Sequence, residues 1–278
     1  MTAQPDPETV KATIAGVFDR GADVYDQIGV DFFTPPARDL VTRAALRPGE
    51  RVLDVGTGRG AVLFAAARAV GPSGRVVGID LAERMAELTQ AEAAARGFEH
   101  VTVAKGDAER PDFPDASFDA VLAGLVIFFL PDAGGALTRY RELLASEGRL
   151  AFTTFGKSDE NHEAAMKAIG GFAADGAQRR PGSSPFGSRD GIAELLAQHG
   201  FAPRTIDEAT YESSFADPDH FISWVWSHGG RHALEAVPAD RLDDATAAAR
   251  AAIEAARTPA GDYVIRTEIR FTTARPQY

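Results

Sequence analysis

The segment VLDVGTGRG, residues 52–60, constrains the chain more than any other. An apolar, β-branched run enters glycines at alternate positions, 56, 58 and 60, and leaves into the helical pattern of residues 61–70. Glycines so spaced let the backbone turn sharply and bring a ligand within van der Waals range of the main chain. A loop of this kind between a strand and a helix belongs where ligands of open α/β sheets bind.

The following sequence repeats the alternation. RVLDV, RVVGI, VTVAK, FDAVLA and RLAFTTF are short apolar or β-branched runs, and helical stretches at 61–70, 83–96 and 135–145 lie between them. Runs apolar on both faces predict parallel strands covered from both sides. The expected fold is α/β and Rossmann-like, a mostly parallel seven-stranded sheet with helices on both faces. Val10, Ile14, Val17 and Phe18 fall at helical spacing, and Pro35-Pro36 suits the start of a second helix. Residues 1–45 are thus expected to form a helical cover and residues 46–156 the ligand-binding core.

Beyond Phe155 the regularity fails. Residues 161–174 look helical, 176–188 are rich in Gly, Pro and Ser, and 189–201 form a helix closed by Gly200. A strand near 204–215, helices at 217–227 and 239–257 and a final strand over 262–274 complete the chain. Residues 157–278 therefore read as the remaining strands with a helical insertion after the fifth strand, forming a substrate lid within one compact domain.

Composition removes several chemistries. With 40 Asp plus Glu against 29 Lys plus Arg, the net charge of −11 repels phosphate backbones, and Arg179-Arg180 is the sole basic cluster. Nucleic acid is not an expected partner. The absence of cysteine removes disulfides, thiolate metal sites and thiol nucleophiles. The apolar run Ala120–Leu130, ended by Pro131, falls short of the roughly 18–20 residues that span a bilayer. MTAQPDPETV has no signal-peptide pattern, so a cytoplasmic protein without membrane contact is expected; the expected assembly is a monomer or homodimer.

Ala61 after Gly60 departs from the dinucleotide G-x-G-x-x-G spacing, which disfavours a nicotinamide dehydrogenase, and no Gly-Lys-Ser/Thr follows to make a P-loop. With Asp54 two positions before the first glycine, the segment resembles motif I of the class I S-adenosylmethionine-dependent methyltransferases. RVVGID ends in Asp80, matching the family acid that holds both ribose hydroxyls, and a carboxylate can accept two such hydrogen bonds. Asp107, in Lys105-Gly106-Asp107-Ala108, matches the acid that bonds the adenine amino group. FDAVLAGLVIFFLPD and RELLASEGRLAFTTF resemble the family's later segments, so the likeness covers roughly residues 20–155 in order. Within the family it is most similar to the small-molecule group of ubiquinone and menaquinone C-methyltransferases and natural-product methyltransferases. Tyr25-Asp26 is typical of that group, whose N-terminal aromatic closes over the methionine end.

The resemblance implies S-adenosylmethionine as cofactor, S-adenosylhomocysteine as product, and methyl transfer to O, N or C of a small organic metabolite. Cofactor contacts are expected from Tyr25, Asp54 and the loop residues Gly56, Thr57, Gly58 and Gly60. Asp80, Leu81 and Met85 should flank the ribose and adenine, with Gly106, Asp107 and Ala108 beside them and Ala123 and Gly124 after the fourth strand. Structural roles compete: Asp54 can tie its own turn, and Asp80 can cap the helix from Glu83. Phe33, Leu125, Phe128, Phe129 and Trp224 are the expected acceptor wall, and Phe128-Phe129 occupy the place where many relatives carry His. Phe221, Trp224, Val225 and His228 share one helical face, for packing or for that wall.

No general base is assigned; Tyr25, His162, His228 and Tyr211 are the candidates. His100, His199, His220 and His232 read as surface or packing residues. Gly229-Gly230 breaks the i, i+4 pair His228/His232, so no metal site is expected. Arg179 and Arg180 could meet an acidic substrate group. The competing reading is a methyltransferase-fold protein that binds the cofactor but performs cyclisation or a regulatory role.

Overall fold

The structure, a computed structural model, describes residues 6–174 and 184–277. Arg179 and Arg180 lie outside them. Seven strands form one sheet: β1 (Arg51–Val55), β2 (Arg75–Asp80), β3 (Val101–Lys105), β4 (Phe118–Ala123), β5 (Leu144–Phe155), β6 (Phe201–Phe215) and β7 (Tyr263–Pro276). Their order is β3-β2-β1-β4-β5-β7-β6. The first five strands pair in parallel, whereas β7 runs antiparallel to both β5 and β6, so the sheet is mixed. The order reverses between β1 and β4, which splays the following loops apart and opens a crevice at the strands' carboxyl ends.

Continuous apolar runs bury both faces of the central strands. Val52, Ala120 and Leu122 pack on one side with α2 (Thr34–Ala44) and α3 (Ala61–Val70). Leu53, Val121 and Phe152 pack on the other with α5 (Ala133–Leu143) and α7 (Arg189–Gln198). The helix α4 (Glu83–Ala95) connects β2 to β3. A third cluster, built on Phe32, Phe215, Phe221, Trp224 and Ile253, joins α6 (Glu160–Gly170), α8 (Pro218–Ser227) and α10 (Leu242–Ile253) at the far edge.

Local signals set the ends of these elements. Asp6 accepts a hydrogen bond from the Thr9 amide and Pro7 opens α1 (Pro7–Gly21). Asp217 and Pro218 do the same for α8. The expected helix 239–257 instead begins and ends in 3-10 turns around α10, and a short α9 (Arg231–Glu235) precedes it. β5 starts five residues before the RLAFTTF run, because Leu144 pairs with Phe118 across an irregularity before the register resumes at Ala120↔Arg149. Among the described residues no helix is long and apolar enough to cross a membrane.

Candidate active site

The loop after β1 carries positive φ at Gly56 (63°), Gly58 (50°) and Gly60 (83°). At Gly56 the requirement is doubled, since a Cβ would also collide with Val126. Asp54 is buried and accepts a hydrogen bond from Thr57 Oγ1 at 2.7 Å, so it does tie its own turn. Burial, with the neighbouring Asp80 charge, pushes its pKa up to about 7 against the Thr57 hydrogen bond. Asp80 accepts from the Gly58 amide at 2.8 Å and the Ala82 amide at 2.9 Å. It is not the cap of α4, a position held by Ala82; it clamps β2 to the glycine loop instead. Burial raises its pKa to about 6 although the backbone amides of Ala82, Gly58 and Leu81 oppose the shift.

Three adjoining cavities open around this loop. The smallest, about 50 Å³, is lined by Asp26, Asp54, Gly56, Thr57, Gly58 and Arg59. Asp26 has positive φ, and burial with the Asp31 charge raises its pKa to about 6. The second, about 90 Å³, places Asp80, Leu81, Met85, Asp107 and Ala108 opposite Lys11 and Phe18 of α1. The third is a chamber of about 320 Å³ with an aromatic wall of Phe32, Phe33, Phe128, Phe129, Phe155 and Trp224. Tyr25 and Leu125 line all three. Tyr25 stacks on Phe33 with centroids 4.7 Å apart, and burial together with the Asp26 and Asp80 charges raises its phenol pKa.

The expected residues divide accordingly. Phe33, Leu125, Phe128, Phe129 and Trp224 share the large chamber with His162 and His228. Gly124 borders the two smaller cavities. Gly60, Gly106 and Ala123 line none of the three: Gly60 sits under Phe64 and Thr89, Gly106 against Ile79, and Ala123 is buried in the core. Tyr211 is not brought to the site. It faces α2 beside Phe271, and its hydroxyl donates to Asp39 at 2.6 Å. Its place on β6, at the sheet edge and on the α2 side, separates it from the crevice.

Phe221, Trp224 and Val225 are buried on α8, whereas His228 lies just beyond the helix in extended backbone. His228 Nδ1 lies 2.5 Å from the Trp224 carbonyl oxygen, and burial lowers its pKa to about 4. Burial lowers that of His162 as well. His232 belongs to α9, so it shares no helix face with His228.

Sequence reading missed Lys11 and Glu109. Lys11 Nζ donates to Asp107 Oδ2 at 2.8 Å and pairs with Glu109 Oε1 at 2.9 Å. Burial opposes the charge, yet hydrogen bonds and the two acids outweigh it and raise the Lys11 pKa well above its ordinary value. Lysine one turn before Ile14 was the available signal, since α1 buries that position.

Fold and site together define an α/β protein with two small, partly polar cavities at the switch point beside a larger, mostly aromatic chamber. A profile described as "Methyltransferase domain" matches residues 46–179. A nocamycin O-methyltransferase of Saccharothrix syringae is 40% identical over 238 residues, 81% of this chain and 85% of that protein. The aklanonic acid methyltransferase DauC of Streptomyces sp. strain C5 is 48% identical over 144 residues, 52% of this chain and 66% of its own length. The chain thus spans just under two thirds of that second relative. A solved structure of the [4+2]-cyclase SpnF superposes with a TM-score of 0.57 at 22% identity, covering 87% of this chain and 82% of that one. The Haemonchus contortus phosphoethanolamine N-methyltransferase 2, in complex with S-adenosylhomocysteine, gives 0.61 at 19% identity, covering 99% and 62%. These two share the fold. The chain belongs to the S-adenosylmethionine-dependent methyltransferases.

Proposed function

We propose that the two smaller cavities hold S-adenosylmethionine and that the chamber holds a small, largely aromatic acceptor. The carrying observation is the meeting of all three cavities at Tyr25 and Leu125. The residues present suit the cofactor. Asp80 retains lone pairs for a ribose diol after binding two amides, and Leu81, Met85 and Ala108 offer flat apolar walls to a purine. Asp107, already paired with Lys11, borders the same cavity and faces the adenine edge on this reading. Asp26, Asp54 and Arg59 at the other end complement an ammonium and a carboxylate. Gly56 and Gly124 border these cavities, and Val126 and Val62 pack so closely on them that no Cβ fits, which lets the loops close tightly around the ligand.

The cofactor supplies an electrophilic methyl bound to a sulfonium sulfur. This chain's own contribution is orientation and the exclusion of water. Tyr25 and Leu125 frame the opening between cofactor and acceptor, and the aromatic wall offers the acceptor an apolar surface. The transfer is in line, to O, N or C, and similarity to a protein named as an O-methyltransferase favours oxygen. Residues 1–45 act as a cover, 46–156 as the cofactor core, and 157–278 as the remaining sheet with its helical insertion serving as the acceptor lid. A cytoplasmic enzyme, monomeric or homodimeric, fits the acidic, cysteine-free composition.

Isothermal titration with S-adenosylmethionine and S-adenosylhomocysteine tests the reading, and binding of both is expected. Binding of neither would overturn it. Binding without labelled-methyl transfer to any small acceptor would favour cyclisation or regulation instead.

A further inference from the structure

The chamber carries a polar arrangement that methyl transfer alone does not explain. The Trp224 carbonyl oxygen can only accept, so the 2.5 Å contact requires the proton on His228 Nδ1. The Nε2 lone pair is left over, and it has no partner among the described residues while the ring lines the chamber. The imidazole lies 4.2 Å from the Trp224 ring and 6.4 Å from Phe33, which itself stacks on Tyr25. His228 is thereby held one aromatic ring away from the point where the cavities meet.

The other titratable groups around the chamber are held differently. Asp159 accepts from the amides of Asn161, His162 and Arg266. Lys157 is at the exposed rim, 4.0 Å from Glu160. His162 lines the chamber too and its charge helps to lower the basicity of His228, but its ring packs edge-on against Trp224 and Phe221 and no backbone carbonyl fixes its tautomer. Burial makes the phenol of Tyr25 a poorer acid than usual.

We propose that His228 is the general base and that the acceptor is a phenol or enol hydroxyl. This rests on the cofactor reading above. The acceptor oxygen forms a bond to the methyl carbon as the carbon–sulfur bond breaks with its electron pair going to sulfur. The acceptor's proton passes to His228 Nε2, giving an imidazolium that returns it to solvent after the product leaves. The aromatic wall of the chamber selects a flat, conjugated acceptor, whose hydroxyl is acidic, and burial of the His228 ring, which lowers its basicity, disfavours an aliphatic alcohol further.

Three probes of one size separate the possibilities: 1-naphthol, the more acidic 4-nitro-1-naphthol, and 1-tetralol. Wild-type protein should methylate both naphthols and leave 1-tetralol untouched. His228→Asn should keep S-adenosylhomocysteine affinity in titration and slow transfer to 1-naphthol by about 10²-fold at neutral pH. It should spare 4-nitro-1-naphthol, which is already ionised there, and the 1-naphthol deficit should close as the pH passes that probe's own ionisation. His232→Asn, on α9, should behave as wild type. Nitrogen-15 NMR of the S-adenosylhomocysteine complex should show His228 neutral, protonated at Nδ1. Transfer to 1-tetralol, no transfer to either naphthol, equal loss with both naphthols, wild-type rates in His228→Asn, or the opposite tautomer would each overturn the proposal. Failure of wild-type protein to bind S-adenosylhomocysteine would instead overturn the cofactor reading.

Discussion

Lys11→Met removes a buried cation and leaves most of the aliphatic stem in place. The wild-type ammonium lies 2.8 Å from Asp107 and 2.9 Å from Glu109, with the Lys11 and Glu109 side chains only 9% and 4% exposed. Stranding one side of a buried pair costs about 3–5 kcal/mol. Asp107 is 28% exposed and Glu109 also holds the Asp132 amide, which places the loss at the lower end, about 3 kcal/mol. Unfolding entropy of about 2.1 cal/mol/K per residue gives about 0.6 kcal/mol/K for this chain, so Tm should fall by about 5 °C. Because the folded-state pKa of Lys11 is raised, its contribution is complete below the ordinary lysine value and is lost only in stronger alkali. Scanning calorimetry at pH 7 therefore sees the whole effect. A fall under about 1 °C at pH 7 would show that α1 is not pinned by this contact.

Gly56→Ala should weaken S-adenosylhomocysteine binding at least about tenfold in titration, because the loop must move away from Val126 and leave its positive φ. Asp26, Asp54 and Asp80 have folded pKa values raised to about 6, 7 and 6, so the folded chain binds more protons than the unfolded chain between ordinary carboxylate values and pH 7. Their contribution to the ligand-free protein's stability should rise from pH 7.5 to 5.5, while affinity for the cationic cofactor falls, as calorimetry and titration at both values will show. Tyr211→Phe should cost about 1 kcal/mol through the lost Asp39 hydrogen bond and leave turnover unchanged.

What could be read from the sequence was local. The strand, the glycines and Asp80 depend on backbone angles and on residues a few positions apart, and the loop stands where that pattern requires. The sharing of Lys11 between Asp107 and Glu109 joins positions nearly a hundred residues apart, and helical periodicity, which can put position 11 on the face of Ile14 and Phe18, cannot name the partners of a charge placed there. Tyr211 shows the converse: an aromatic hydroxyl is chemically suitable, but strand alternation turns it toward α2. His228 was placed on the helical face with Trp224, yet its ring is fixed by a backbone carbonyl after the helix has ended, a detail carried by φ and ψ.

The register of the last two strands has a consequence for how such chains change. Phe215 and Tyr263 are direct partners at the end of the β6–β7 pair. Everything between them, including Trp224 and His228, leaves and re-enters the sheet at neighbouring points. An antiparallel pair can be joined by two residues, so this excursion is topologically a detachable module. The matching methyltransferase profile ends at residue 179, short of it. The part of the chamber lining that this module supplies, Trp224 and His228, can thus be exchanged while the strands beside the glycine loop keep their pairing, and a β6–β7 hairpin closed by a short turn would show what Phe33, Phe128 and Phe129 contribute without it.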